Sequence, residues 1–223
     1  MVMTEDSEKA EAPVMKFSEV VLDFQSASSP LSFALHKGEF AFLNAEALAL
    51  VALGIKQAYA GEIRIFGETW ESRTVRSVEV GRRRISYVAD SDSETSTEWV
   101  GNLDVDENVL LGALFDRGIG SKAAYAKMEK LASRLGLENG VPSTRPDSTS
   151  VADLVRSQWV RAFMPDDLAL VILENPLEGA PRKFIPDFIN LVRESLSNGV
   201  AVIWVSEERP DFEKLGLIPE FEF

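Results

Sequence analysis

The stretch Ala169-Leu170-Val171-Ile172-Leu173-Glu174-Asn175-Pro176 decides the fold. A short apolar run, bounded by Pro165-Asp166-Asp167 before it and Pro176 after it, reads as a strand buried on both faces. Such strands belong to parallel sheets, and open α/β sheets place their sites outside the carboxyl ends of the strands. Glu174 and Asn175 fall at that end. A carboxylate there is placed to hold a divalent cation. The plainer reading is a solvated acid that ends a buried strand.

The bulk properties narrow the function classes. With 223 residues the chain can bury one sizeable core. A net charge of -13 disfavours a binder of nucleic-acid backbones and direct contact with anionic lipid. The absence of cysteine excludes disulfides, thiolate metal sites and cysteine nucleophiles, and the single histidine, His36, leaves no histidine cluster. No apolar run approaches the about 18 residues of a membrane span. The first residues are acidic where a signal peptide is basic. These features predict a soluble, cytoplasmic protein with no direct membrane insertion.

In chain order, residues 1–13 read as a disordered acidic tail and 14–223 as a single domain. Strands are expected over 14–24, with Phe17, Val20, Leu22 and Phe24 inward, then over 31–35 and 39–43, with a tight turn at His36-Lys37-Gly38. A nearly all-apolar helix should run from the cap Asn44 to Gly54. A strand over 62–66 follows, closed by Gly67. Residues 70–80 read as polar and irregular, and 85–89 as a strand ending in Asp90. Between that strand and the organising one, 91–163 read as a helical insertion. Its helices span 105–115, with Leu111, Leu114 and Phe115 on one face; 122–135, with Met128, Leu131 and Leu135; and 150–163, with Val151, Leu154, Val155 and Phe163. After the organising strand, Phe184, Phe188, Leu191 and Val192 mark an amphipathic helix. Pro181 suits its first turn, and Pro186 should kink it or delay its start. Residues 200–205 form a second fully apolar strand, followed by Glu207.

Specific residues now join this order of elements. Gly38-Glu39, Gly54, Gly61-Glu62-Ile63, Tyr87-Val88, Asp106-Glu107-Asn108-Val109, Arg161-Ala162, Pro176 and Val202-Ile203-Trp204-Val205-Ser206 stand in the order of landmarks in the ATP-binding subunits of ABC transporters. From about Val14 onward the chain resembles that family. The resemblance implies an α/β fold of P-loop NTPase-like ABC ATPase architecture: a mostly parallel sheet core, an antiparallel β lobe and the helical insertion.

At the matching positions the family's chemistry is replaced. A P-loop needs glycines, a lysine and a hydroxyl to hold phosphates and magnesium. Leu43-Asn44-Ala45-Glu46-Ala47-Leu48 supplies none of these, and Gly38 and Gly61 stand closer together than the family's spacing. The Q-loop position holds Asp90. The signature falls on Thr149-Ser150-Val151-Ala152-Asp153. Glu174 stands for the Walker B aspartate, Asn175 for the general-base glutamate and Glu207 for the switch histidine. Phe24 is the remaining candidate to stack on adenine. Asn175 cannot take a proton at neutral pH. Losing the lysine and the phosphate nest forfeits charge-assisted bonds worth about 1.5–3 kcal/mol each. The resemblance therefore implies an ABC-type protein with no catalytic residues and no cofactor expected.

Three functions follow. The first is a non-catalytic binding, assembly or regulatory component that docks to a membrane permease subunit or an active ABC ATPase, peripheral at the inner face of the membrane. Asp90 and Trp99 are its candidate contact residues. The second is a repurposed site in which Glu174, Asp90 and Glu207 gather to bind Mg2+ or, weakly, ATP. The third is a structural homodimer.

Overall fold

The computed structural model describes residues 12–22, 29–44, 48–90, 99–116 and 120–223, without the side chains of Phe115 and Asp116. The predicted tail lies almost wholly outside the described residues.

Among the described residues, eight strands form two sheets. Strands β1 (Met15–Val21), β2 (Leu31–Leu35) and β4 (Ala60–Ile65) make an antiparallel sheet in the order β2-β1-β4. Strands β3 (Phe40–Leu43), β5 (Ile85–Val88), β6 (Leu170–Glu174), β7 (Ala201–Val205) and β8 (Phe221–Glu222) make a parallel sheet in the order β5-β6-β7-β3-β8. The organising stretch is β6, buried from Leu170 to Leu173.

Both faces of the parallel sheet are covered, so alternate residues of each strand enter different cores. Val171, Leu173, Val202, Trp204, Phe40 and Phe42 pack with the helices of the insertion. Leu170, Ile172, Ala201, Ile203, Ala41 and Leu43 pack with the antiparallel sheet and the short helix α1 (Leu48–Ala52). Each large side chain buried this way contributes about 1.5–3 kcal/mol.

Among its described residues the insertion holds three α-helices: α3 (Val105–Leu111), α4 (Ser121–Arg134) and α5 (Val151–Ala162). α3 opens on a capping box between Asp104 and Glu107. Ser150 caps α5, its hydroxyl accepting from the Asp153 amide at 3.2 Å. Among the described residues no helix is long and apolar enough to cross a membrane.

Several expectations are corrected. Residues 70–80 are not irregular: α2 (Val75–Arg83) begins there, capped by Thr74. Its inner side lacks an apolar stripe because Arg73 and Trp70 pack against Gly81 instead. α1 is described over Leu48–Ala52, and the expected helix start just after Asn44 falls on residues outside the described ones. After Leu111 the chain adopts a π-helical turn, Gly112–Asp116. That change of pitch turns Leu111 partly outward, and Val105, Val109, Leu110 and Ala113 form the buried face instead. Val151, first in α5, is 57% exposed, and Val155 and Trp159 carry that stripe. A 3-10 turn, Arg182–Phe184, precedes α6 (Ile185–Ser197), so Pro186 rather than Pro181 occupies the first turn and delays the helix. Beyond β7 the chain adds α7 (Phe212–Leu215) and β8, which the sequence reading did not anticipate. In β1 the alternation slips at a bulge between Phe17 and Val20, where Glu19 has a φ of 51°; Leu22 is half-buried.

Gly61, at φ 84°, lies so close to β1 that a Cβ would overlap the Glu19 carbonyl oxygen. Because backbone cannot move aside, Gly61→Ala should destabilise the fold by about 1–3 kcal/mol, read as a lower urea midpoint at unchanged slope.

Candidate functional site

The carboxyl ends of the five parallel strands line up along one edge, and hydrogen bonds tie neighbouring ends together. Asp90, just past β5, accepts from the Asn175 side-chain amide at 2.8 Å. The Asn175 backbone amide donates to Val205 of β7 at 2.9 Å. The Asn44 side chain, past β3, donates to the Glu207 carbonyl at 3.1 Å. Its backbone amide donates to the Phe223 carbonyl, past β8, at 2.8 Å. The edge is thus laced from β5 to β8.

Glu174 sits half-buried inside this lacing and accepts a hydrogen bond from the Tyr87 hydroxyl. Tyr87 reaches it from the neighbouring strand, where it pairs in register with Ile172. Asn175 holds a φ of 40°, a left-handed backbone that Asn tolerates better than most side chains. The turn that carries both residues is pinned from below: buried Trp159 donates to the Pro176 carbonyl at 2.9 Å and stacks on Phe188 with ring centroids 4.3 Å apart.

The structure therefore brings Asp90 and Asn175 together and places Glu174 with Tyr87. Glu207 is exposed, and its backbone carbonyl joins the lacing. Among the described residues no three histidine, aspartate or glutamate side chains are grouped to hold a metal ion, so Asp90, Glu174 and Glu207 do not form the expected carboxylate trio. The partners that divide them are Asn175 for Asp90 and Tyr87 for Glu174. The Ser150 hydroxyl caps α5 and donates to Asp153 at 2.7 Å. Phe24, Ala45 and Glu46 lie outside the described residues.

Beside the edge, a groove of about 270 Å3 runs between β5, α3 and α5, lined among others by Ser86, Val100, Leu111 and Arg161. Trp99 lies half-buried there with the Arg161 guanidinium 4.6 Å above its ring. Asn108, buried in α3, shapes the groove wall: it accepts from the Val100 amide at 2.8 Å and donates to the carbonyls of Val100, Leu103 and Asp104. Sequence reasoning placed Asn108 and Tyr87 only as landmarks. A buried amide in the first turns of a helix and a tyrosine within a short apolar strand were their available signals.

No family model matches the chain, and no curated protein does. A solved structure described as "Structure of ATP binding subunit of ABC transporter" superposes with a TM-score of 0.70 over 86% of this chain and 79% of that one, at 18% identity. The fold is the ABC ATPase fold. At that identity the likeness is one of fold, and function rests on the site.

Replacing Tyr87 with Phe leaves the Glu174 carboxylate without this donor in a half-buried place. Tyr87→Phe should cost about 1–3 kcal/mol in urea unfolding, whereas Glu207→Gln should change stability by less than about 0.5 kcal/mol.

Proposed function

We infer that this chain is a catalytically silent ABC-type subunit that serves as a docking, assembly or regulatory component of a membrane transport complex. The observation that carries the reading is the laced carboxyl edge. At the position expected to hold magnesium, the Glu174 carboxylate accepts from Tyr87. At the position expected to activate water, Asn175 donates to Asp90. At the second position a neutral amide stands where a carboxylate would take the proton from water. The sequence 44–48 adds no lysine, glycine or hydroxyl to grip a triphosphate.

A groove beside the insertion offers a surface for a partner. The groove between β5 and the insertion is open and rimmed by Val100 and Leu111, 44% and 37% exposed. Arg161 adds a cation at its wall. Such a surface suits a short amphipathic segment that lays apolar side chains into the groove. A cytoplasmic segment of a permease subunit has that chemistry, and the chain would then sit at the membrane's inner face through its partner. The nucleotide-closed pairing of ABC subunits has no support here, because both halves of a shared ATP site are replaced.

The test is affinity purification of the full chain from detergent-solubilised membranes, with mass-spectrometric identification of what is retained. A polytopic permease subunit should be captured, and Val100→Asp with Leu111→Asp should reduce capture by about tenfold, a loss of about 1.4 kcal/mol, without lowering the melting temperature. Equal capture by the variant, or no permease retained by either chain, would overturn the reading.

A further inference from the structure

The strongest concentration of positive charge in this acidic chain lies on α2. Residues 73–84 carry five arginines, Arg73, Arg76, Arg82, Arg83 and Arg84, against one acid, Glu79, while the whole chain has a net charge of -13. Some of these cations are used within the fold. Arg73 is nearly buried, faces Glu68 at 3.7 Å and lies 4.8 Å above the Trp70 ring. Arg82 lies 5.4 Å from the same ring and donates to the Leu53 carbonyl at 3.4 Å. Arg84 covers the Phe66 ring at 4.4 Å. The outer face is different. Arg76 is exposed and has no ion pair or hydrogen bond among the described residues, and beside it Val75 and Val80 are 80% and 54% exposed. This is an unpartnered helix face that is both cationic and apolar.

We propose that the acidic N-terminal segment of this same chain, residues 1–11, docks on the outer face of α2. Three observations favour that occupant. The first is charge: residues 1–11 contain Glu5, Asp6, Glu8 and Glu11 against Lys9. Along residues 68–84 the acids are Glu68, which pairs with Arg73, and the exposed Glu71 and Glu79, three against five arginines.

The second is position. The chain enters the described fold just before Val14, whose carbonyl accepts from the Phe66 amide at 2.9 Å. Phe66 is the ring that Arg84 covers, so the segment emerges at the arginine-rich end of α2. The third is order. Read backwards from that point, the segment offers Glu11 and Glu8, then Asp6 and Glu5, then Met3 and Val2. Read backwards, α2 offers Arg84 to Arg82, then Val80 and Arg76, then Val75.

Reach is ample. Nine helical residues span about 14 Å, and eleven extended residues span up to about 36 Å. Exposed ion pairs contribute at most about 1 kcal/mol each. Tethering supplies an effective concentration of about millimolar, enough to populate a weak contact. The segment would screen the one strongly basic face of the chain from other anionic surfaces. The proposal stands independently of the groove and its partner.

Because the chain has no cysteine, Ser7→Cys creates a single thiol for a nitroxide label in the full chain. At low salt the label should broaden the amide signals of Val75–Arg83 about tenfold more than those of α4, as expected for a tethered contact. The excess should vanish at about 1 M salt, where the Debye length is about 3 Å. It should also vanish with Arg76→Glu and Arg82→Glu, and return when Glu5, Asp6, Glu8 and Glu11 become lysines in that background. Arg76→Glu alone, at a side chain with no hydrogen bond or ion pair among the described residues, keeps the test open should Arg82→Glu not fold. Equal broadening of α2 and α4, or broadening indifferent to charge reversal, overturns the proposal. Phosphatidylserine vesicles give the second arm. Tighter vesicle binding after removal of residues 1–11 supports an occupied face, and identical binding with and without them makes α2 a lipid surface and overturns the proposal.

Discussion

The arrangement on which the rest depends is the row of hydrogen bonds across the carboxyl edge of the parallel sheet. Asn175 bridges from Asp90 to β7, and Asn44 bridges from the turn after β7 to the end of β8. In an open α/β sheet this edge is where unspent polar groups wait for a ligand. Here asparagines spend them on the protein itself. Asn suits the work because one side chain offers donors and an acceptor together and because it accepts a left-handed backbone, as Asn175 does. The Tyr87 hydroxyl does the same for the carboxylate of Glu174.

This lacing depends in turn on a core that has kept its form. Each inner strand sends alternate residues into two cores, and the turn after β6 is held from the insertion by the Trp159 indole. Packing on both faces constrains volume and polarity at nearly every position of β3, β6 and β7, whereas the strand ends are constrained only by what they must bind. Chemistry at the ends can therefore change while the fold persists. The superposition on an ABC ATP-binding subunit at 18% identity has that character.

The elements legible in the sequence were those with a strong local signal. β6 and β7 are apolar runs bounded by proline, glycine and acids. The stripe of α4 follows the helical period, and Gly54 and Gly67 stop their elements with positive φ. The elements missed lack such a signal. α2 packs through Gly81 against the side chains of Arg73 and Trp70, a cation-stacked contact that no apolar pattern announces. β8 has two residues and exists only through its register with β3. At the site, the identity of each edge residue could be read, but its partner could not. Asp90 and Asn175 are 85 positions apart, and only the β5–β6 pairing brings them within 2.8 Å.

The central claim is that this edge is filled by the protein's own groups and offers a triphosphate no grip. Isothermal titration of the purified full chain with Mg-ATP tests it most directly. The account predicts no saturable heat up to about 1 mM nucleotide, weaker than about -4 kcal/mol of binding. Saturable binding at micromolar concentration, abolished by changes at Asn44 or Glu174, would contradict it.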